Sequence, residues 1–443
     1  MHSDMLCKTE VAALFSKIAA FAAYPAIIKF DAIRQGTTRF ANSQISQNVS
    51  IEDKRVTLTL YNGQRQATST TNDITDTGLQ ELVASVDALL KVVPESDEPV
   101  LTLESSIVYD KGEEANLANT FDIAGRATIL AQGLREIEPG FTASGALVLT
   151  ETVTAIGDGG AGLSYANYCN VTFNTVVSHT SGADGAAAVT SYTTAPDIAA
   201  AFATAMATSK MAISPVEAPL GGVTVVLSPT AFGDLVSFAT NMLNAKEIEN
   251  GSSFAIDNIG RQLFSSCLTI TDDYTNAQLL PLPFDADGVP RSRLPLIEGG
   301  VIKAVAYDKK HAAKHGVQST GHAIAARWYS GAIPLHVVVE CGQQTVEEII
   351  ASTEKGVFIN EFHYTNFVNA RNLQVTGLTR NGAFLIENGK ITKPISTVRF
   401  TESLLDAFSN ITAISNTREL VPDIGAMLVP AVRIENFHFT SRA

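Results

Sequence analysis

Cations, cysteine and tryptophan are all scarce in this chain. Its 443 residues carry 31 lysines and arginines against 45 aspartates and glutamates, a formal charge of −14 at neutral pH. A surface of that sign is repelled by nucleic-acid phosphates unless it holds a local basic patch, and no run of the sequence supplies one. General nucleic-acid binding is therefore excluded. The four cysteines (Cys7, Cys169, Cys267, Cys341) lie far apart without CxxC spacing, which argues against a disulfide framework or a zinc knuckle and for buried free thiols. The apolar stretch from Val11 to Phe30 comes nearest to a membrane or signal segment. Lys17, Pro25 and Lys29 interrupt it, Glu10 has the wrong charge for a signal start, and Leu14, Ile18 and Phe21 recur at helical spacing. A soluble, cytoplasmic protein with no membrane contact is expected, and the Asn-x-Ser/Thr triplets at Asn48, Asn170 and Asn410 are then chance matches.

The common catalytic signatures are missing as well. No phosphate-binding G-x-x-x-x-G-K-[ST] and no G-x-S-x-G elbow occurs. Gly157, Gly159 and Gly162 satisfy G-x-G-x-x-G, but strand-like SYANYCNVTF follows where a helix N-terminus should face a pyrophosphate, so a surface turn is expected. His311 and His315 stand four apart, with His322 seven further on. The lysines around them and the lack of an adjacent glutamate point to a solvated basic helix face instead of a hydrolytic metal site. Cys341 has only Glu340 beside it, which would raise a thiol pKa. Asp272-Asp273 and Glu347-Glu348 read as solvated charges, and His363 and His438 as interface or core-edge residues.

What is present is 45% hydrophobic and 17% charged, enough to bury sizeable cores. The alternating run Arg55 to Tyr61 before Asn62-Gly63 predicts a hairpin. Thr77-x-x-Gln80 predicts a capped helix ending near the acidic link Pro94 to Pro99. Helices are expected at Asp122 to Ile137 and Ala195 to Ala207, and strands at Ala146 to Ile156, Cys169 to Ser178 and Val223 to Leu227. Ser228-Pro229 then caps a helix whose buried stripe is Phe232, Leu235, Val236, Ala239, Met242 and Leu243. Beyond it, Asn381-Gly382 and Asn388-Gly389 predict hairpin turns on either side of AFLIE. The expected class is α+β, with a mixed α/β N-terminal domain over residues 1–219 and a β-rich, barrel-like or sandwich-like C-terminal domain over residues 220–443.

Several ordered motifs are more specific than any of this. FDADGVPRSRLPLIEGGVIKAVAYDKKHAAKHGVQSTGHA (Phe284 to Ala323), EKGVFINEFHY (Glu354 to Tyr364), VTGLTRNGAFLIENGKITKPISTVRFTESL (Val375 to Leu404), VPAVRIENFHFTS (Val429 to Ser441) and the early RFANSQISQNV (Arg39 to Val49) together resemble the TldD/PmbA family. That resemblance implies a metallopeptidase built from two related subunits, TldD and TldE (also called PmbA), enclosing an internal cavity. In TldD, the helix after a strand like Val223 to Leu227 bears His-Glu-x-x-x-His, and a later cysteine completes the zinc site.

Here Ser237 and Met242 stand in the places of the two histidines and Phe238 in that of the general base, while the last cysteine is Cys341. The resemblance therefore implies the TldE/PmbA branch: a degenerate site, no catalytic residue and no cofactor in this chain, and zinc in a TldD-like partner that carries out peptide processing. Whether the chain is itself an enzyme stays open. A peptide groove is expected along Glu361, His363, Thr365 and Arg380. Two alternatives stand beside this one: a homodimeric peptide-binding scaffold without catalysis, and a cryptic metallopeptidase using His311 and His315.

Overall fold

The structure is a computed structural model that describes residues 5–442 apart from 97, 104–105, 111–116, 161 and 327–328. Asp97, in the predicted acidic link, lies outside the described residues. One sheet is built from β1 (Ala26–Ala41), β2 (Gln44–Asn62), β3 (Arg65–Thr71), β4 (Val108–Asp110), β5 (Phe141–Gly157), β6 (Leu163–His179) and β7 (Asp184–Ser191). Its order is β3-β2-β1-β5-β6-β4, with β7 added on β6. Helices α1 (Lys8–Phe21) and α2 (Asp76–Leu90) cover one part of the sheet, where Val11, Phe15 and Ile18 meet Leu79, Val83 and Val86. The short α3 (Leu117–Thr120), α4 (Ile123–Arg135) and α5 (Ile198–Met211) cover another, where Phe202 packs on Phe40 and Phe173.

Local chemistry accounts for these elements and for the shifts from expectation. Val56, Leu58 and Leu60 alternate inward as VTLTLY requires, and Gly63 closes the β2–β3 hairpin at φ +60°. The outer half of β2 escapes that pattern because it is a largely exposed arm paired only along β1, turned at Asn42 and Ser43, which both have positive φ. Thr75, not Thr77, caps α2 by accepting from the Gly78 amide, and Asp197 sets the start of α5 three residues after Ala195. Gly157 ends β5, and Gly159 and Gly162 lie between β5 and β6, as expected from the strand that follows them. Of the cysteines, all unbridged, only Cys169 is buried. Cys7 and Cys267 are exposed, since neither lies on a core-facing position.

The second sheet begins with β8 (Gly221–Leu227) and continues through β9 (Ile270–Asp272), β10 (Leu294–Glu298), β11 (Val301–Ile302), β14 (Val337–Val339), β15 (Lys355–Asn369), β16 (Gln374–Glu387), β17 (Lys390–Pro394), β18 (Val398–Ser403), β19 (Ile411–Pro422) and β20 (Ala426–Arg442). A separate ribbon pairs β12 (Ala323–Ala326) with β13 (Tyr329–Ala332). Because β8 pairs with both β15 and β20, the path β8-β15-β16-β18-β20 closes on itself like a barrel. Helix α6 (Pro229–Asn241) leaves β8 and buries Phe232, Leu235, Val236 and Ala239, with the Phe232 ring edge-on to Phe408 at 5.5 Å. Short helices α7 (Ala245–Glu249), α8 (Lys309–His315), α9 (Val346–Ala351) and α10 (Leu404–Ser409), with a 3-10 turn at Ala370–Asn372, complete the described elements. Asn388-Gly389 forms the predicted turn between β16 and β17. Asn381-Gly382 does not: both residues have positive φ, but they sit inside β16 as a kink.

The segment 279–291 joins the two sheets. Phe284 packs with Ile27, Tyr61 and Ile156, and Leu279 and Leu280 pack with Tyr192, Val338 and Leu428. Behind these contacts Asp272, His322 and His336 have no solvent exposure. Asp272 Oδ2 accepts from the His336 amide at 2.9 Å, and its Oδ1 faces His322 Nε2 at 3.2 Å and His336 Nδ1 at 3.6 Å. Burial pushes this carboxyl up, but the two imidazoles outweigh it and hold it well below the usual carboxylate range. Asp272 is thus a core charge and not the solvated one expected from the sequence.

At the end of the first sheet, Gly185 at the start of β7 lies so close to α5 that an added Cβ would stand 2.3 Å from both Ala205 O and Ser209 N. Those are backbone atoms and cannot swing aside. Gly185→Ala is expected to destabilise the protein by roughly 1–3 kcal/mol through overpacking, read as a lower denaturation midpoint with unchanged m-value.

Candidate functional site

Helix α6 is anchored where its capping chemistry predicts. Ser228 accepts from the Ala231 amide at 3.1 Å and donates to the Asn360 carbonyl at 2.6 Å, which ties the helix start to β15. Asp234, Ser237 and Asn241 then follow at three- and four-residue spacing on one face. Ser237 donates to Asp423 Oδ1 at 3.1 Å and accepts from Asn241 Nδ2 at 3.3 Å, while Asp234 Oδ2 accepts from the Thr365 hydroxyl at 2.5 Å.

The other two positions singled out on this helix turn elsewhere. The Phe238 ring meets Phe367 edge-on at 4.8 Å, and Met242, at the C-cap, is half-buried against the large hydrophobic core. Burial raises the Asp234 carboxyl, the Thr365 bond opposes this, and the charges of Asp423 and Glu361 raise it further; burial also raises Asp423. The face therefore collects carboxylates, a hydroxyl and an amide. Among the described residues no three His, Cys, Asp or Glu side chains come together as a metal site.

Beside the start of α6 a cleft of about 970 Å³ runs between the two sheets. One wall is β7 with the first turn of α5, and the other carries Ser228, Thr230, Glu361 and Asn381. Glu361 accepts from Asn381 Nδ2 at 2.7 Å. A second cleft of about 440 Å³ is lined by Asp184, His363, Arg380 and again Asn381, with Arg380 Nη1 against His363 Nε2. The expected groove residues are thus all on β15 and β16 but divide: Glu361 faces the larger cleft, His363 and Arg380 face the smaller, and Thr365 serves Asp234.

The histidine group does not assemble. His311 Nδ1 meets Asp308 at 2.6 Å and is buried, contrary to the solvated face expected of α8, because Asp308 caps that helix and draws the ring inward. His315 pairs with Glu249 at 3.0 Å, and His322 with Asp272. Each imidazole is committed to a different carboxylate. The exposed His438 meets Glu402 at 3.0 Å. Sequence reasoning missed Asp234, Asp423, Asn381 and Glu419. The polar i, i+3, i+7 face of α6 could have signalled the first, but Asp423 and Glu419 arrive from β19 and the turn after it, far along the chain.

The chain matches the family described as PmbA/TldA metallopeptidase, in its C-terminal domain over residues 220–441 and in its domain 1 over residues 30–92. The metalloprotease TldD homolog of Haemophilus influenzae is 29% identical over 225 residues, 48% of this chain and 45% of that protein. Metalloprotease PmbA of Escherichia coli O157:H7 is 29% identical over 188 residues, 41% of this chain and 39% of that protein. The chain spans less than half the length of these curated relatives. TldE from Thermococcus kodakarensis superposes with a TM-score of 0.84 at 18% identity, over 97% of this chain and 99% of that one. A Thermotoga maritima chain does so with a TM-score of 0.83 at 17% identity, over 97% and 100%. At such identity the likeness is one of fold.

Because native burial raises the Asp234 pKa, its ionisation opposes folding. The stability it allows is full below the unfolded carboxyl value and is lost as pH rises through the native one. Asp234→Asn is therefore expected to raise the thermal midpoint at about pH 8, with the gain vanishing toward about pH 4. Melting curves across that range check the sign.

Proposed function

The chain belongs to the PmbA/TldD metallopeptidase family, and on that premise we propose that it is a TldE/PmbA-like subunit without a zinc centre of its own. The observation that carries this reading is the side-chain chemistry of α6. Ser237 spends its hydroxyl on Asp423 and Asn241, Phe238 is packed on Phe367, and Met242 offers a half-buried thioether. A hydrolytic zinc takes imidazole, thiolate or carboxylate ligands and a general base beside its water, and this set supplies neither at those positions. Zinc does not fit there, and no hydrolytic step is assigned to this chain.

The role that remains is to bind peptide and complete a chamber with a metal-bearing, TldD-like partner. The cleft between β7 and β15–β16 supports it, since β7 pairs with β6 along one edge and lines the cleft with residues 186–191. An extended peptide adds to such an edge through main-chain hydrogen bonds, which tolerate varied side chains. Four unbridged cysteines suit a reducing, cytoplasmic setting, and no described helix is long and apolar enough to cross a membrane. The alternative of a metal centre at His311 and His315 has no support from the separate carboxylates that hold them.

Purified alone, the chain is expected to hold well under one zinc per molecule and to leave peptides intact, whereas mixing it with an HExxxH-bearing relative should give a stable complex that cleaves them. Elemental analysis, size-exclusion chromatography and a peptidase assay decide the matter. Stoichiometric zinc with cleavage by the chain alone overturns the reading, and a homodimer that ignores the relative favours the scaffold.

A further inference from the structure

The larger cleft is charged with one sign only. Asp197, Glu347, Glu361 and Glu419 line it, and no described lysine, arginine or histidine does. Three of these acids have local work or open water: Asp197 caps α5, Glu361 takes the Asn381 amide, and Glu347 lies in the exposed first turn of α9. Glu419 is also exposed on β19, but it lines the cleft with neither a capping role nor a counter-charge among the described residues, and the nearby walls raise its carboxyl.

Two further side chains lining the cleft have unused hydrogen-bonding capacity. Thr175 is 1% exposed and Asn381 7% exposed, and neither Thr175 Oγ1 nor Asn381 Oδ1 has a hydrogen-bond partner among the described residues. Buried polar atoms are rarely left this way unless something else completes them. Asn381 also holds φ at +52° inside a strand, a conformation that puts its amide at the junction of the two clefts.

We infer that the cleft is a subsite for a lysine or arginine side chain of an extended peptide, with Glu419 as its counter-charge and Asn381 and Thr175 completing polar groups of the peptide. This deepens the peptide-binding reading above and rests on it. A cation entering here exchanges hydration for a charge-assisted bond to a carboxylate that the protein leaves unmatched, whereas an acidic side chain meets only like charge.

The test uses the full chain and fluorescein-labelled hexapeptides, Ala-Ala-Lys-Ala-Ala-Ala and its counterparts with Glu or Ala at the third position, followed by anisotropy. The lysine peptide is expected to bind about tenfold more tightly than the glutamate peptide, with the alanine peptide between them. Glu419→Gln should cut that preference to below about threefold while leaving the alanine peptide unchanged. Equal binding of all three peptides to the unmodified chain overturns the charge selection and leaves peptide binding standing. Absence of binding by any peptide, to the chain alone and to its complex with an HExxxH relative, overturns both. Displacement of the lysine peptide by spermidine as efficiently as by unlabelled lysine peptide overturns the peptide assignment in favour of a small polyamine. A preference for lysine that survives Glu419→Gln overturns the role of Glu419.

Discussion

Asp272 is a carboxylate sealed from water, and the joint between the two sheets is arranged around keeping it charged. A buried anion is tolerated only where hydrogen bonds and opposing charge replace the lost hydration. Here the His336 amide bonds one carboxylate oxygen, the rings of His322 and His336 face the other at 3.2 and 3.6 Å, and the buried Arg291 guanidinium supplies opposing charge nearby. Arg291 in turn donates to the Gly321 carbonyl at 3.1 Å, while the second buried carboxylate, Asp285, accepts from the amides of Asp287, Val289 and Ala323. One connected set of charges thus fixes the 279–291 segment, the approach to β12 and the start of β14. Breaking it would strand a charge in the core, which costs more than the pair itself contributes.

That arrangement gives the motif FDADGVPR a structural meaning. Phe284 is the apolar contact to the first sheet, Asp285 closes the turn, and Gly288, at φ +73°, comes close enough to Leu103 that a Cβ would lie 2.5 Å from its Cδ2. Arg291 then enters the core. The most specific text in the sequence therefore describes how two layers are clamped together, and the clamp holds β7 and β15–β16 at the separation that makes a cleft. Ser237, Phe238 and Met242 on α6 make their contacts elsewhere, with Asp423 and Asn241, with Phe367 and with the C-terminal core.

The β2–β3 hairpin, α6 and the β8–α6 junction were legible because their signals are local. VTLTLY alternates at the strand period, Asn-Gly closes a hairpin, and Ser-Pro opens a helix at the positions where each lowers the local energy. Asn381-Gly382 shows the limit of the same logic. The dipeptide permits positive φ, and permission is satisfied equally by a turn or by a kink inside a long strand. Pairing of Leu378 with both His363 and Arg399 chose the kink. Asp272-Asp273 misled for a related reason, since adjacent acids are ordinarily solvated and only the distant His322 and His336 make one of them a core residue.

Family, class and the side chains at 237, 238 and 242 could be read along the chain, because they depend on residue type and local spacing. Where the charges go was settled by packing in three dimensions. Glu419, Asn381, Thr175 and Asp197 are remote in the chain and become walls of one cleft through sheet packing. His311, His315 and His322 are near in the chain and separate onto three carboxylates. Electrostatic energy depends on distance and desolvation in space, and neither quantity is written in sequence separation.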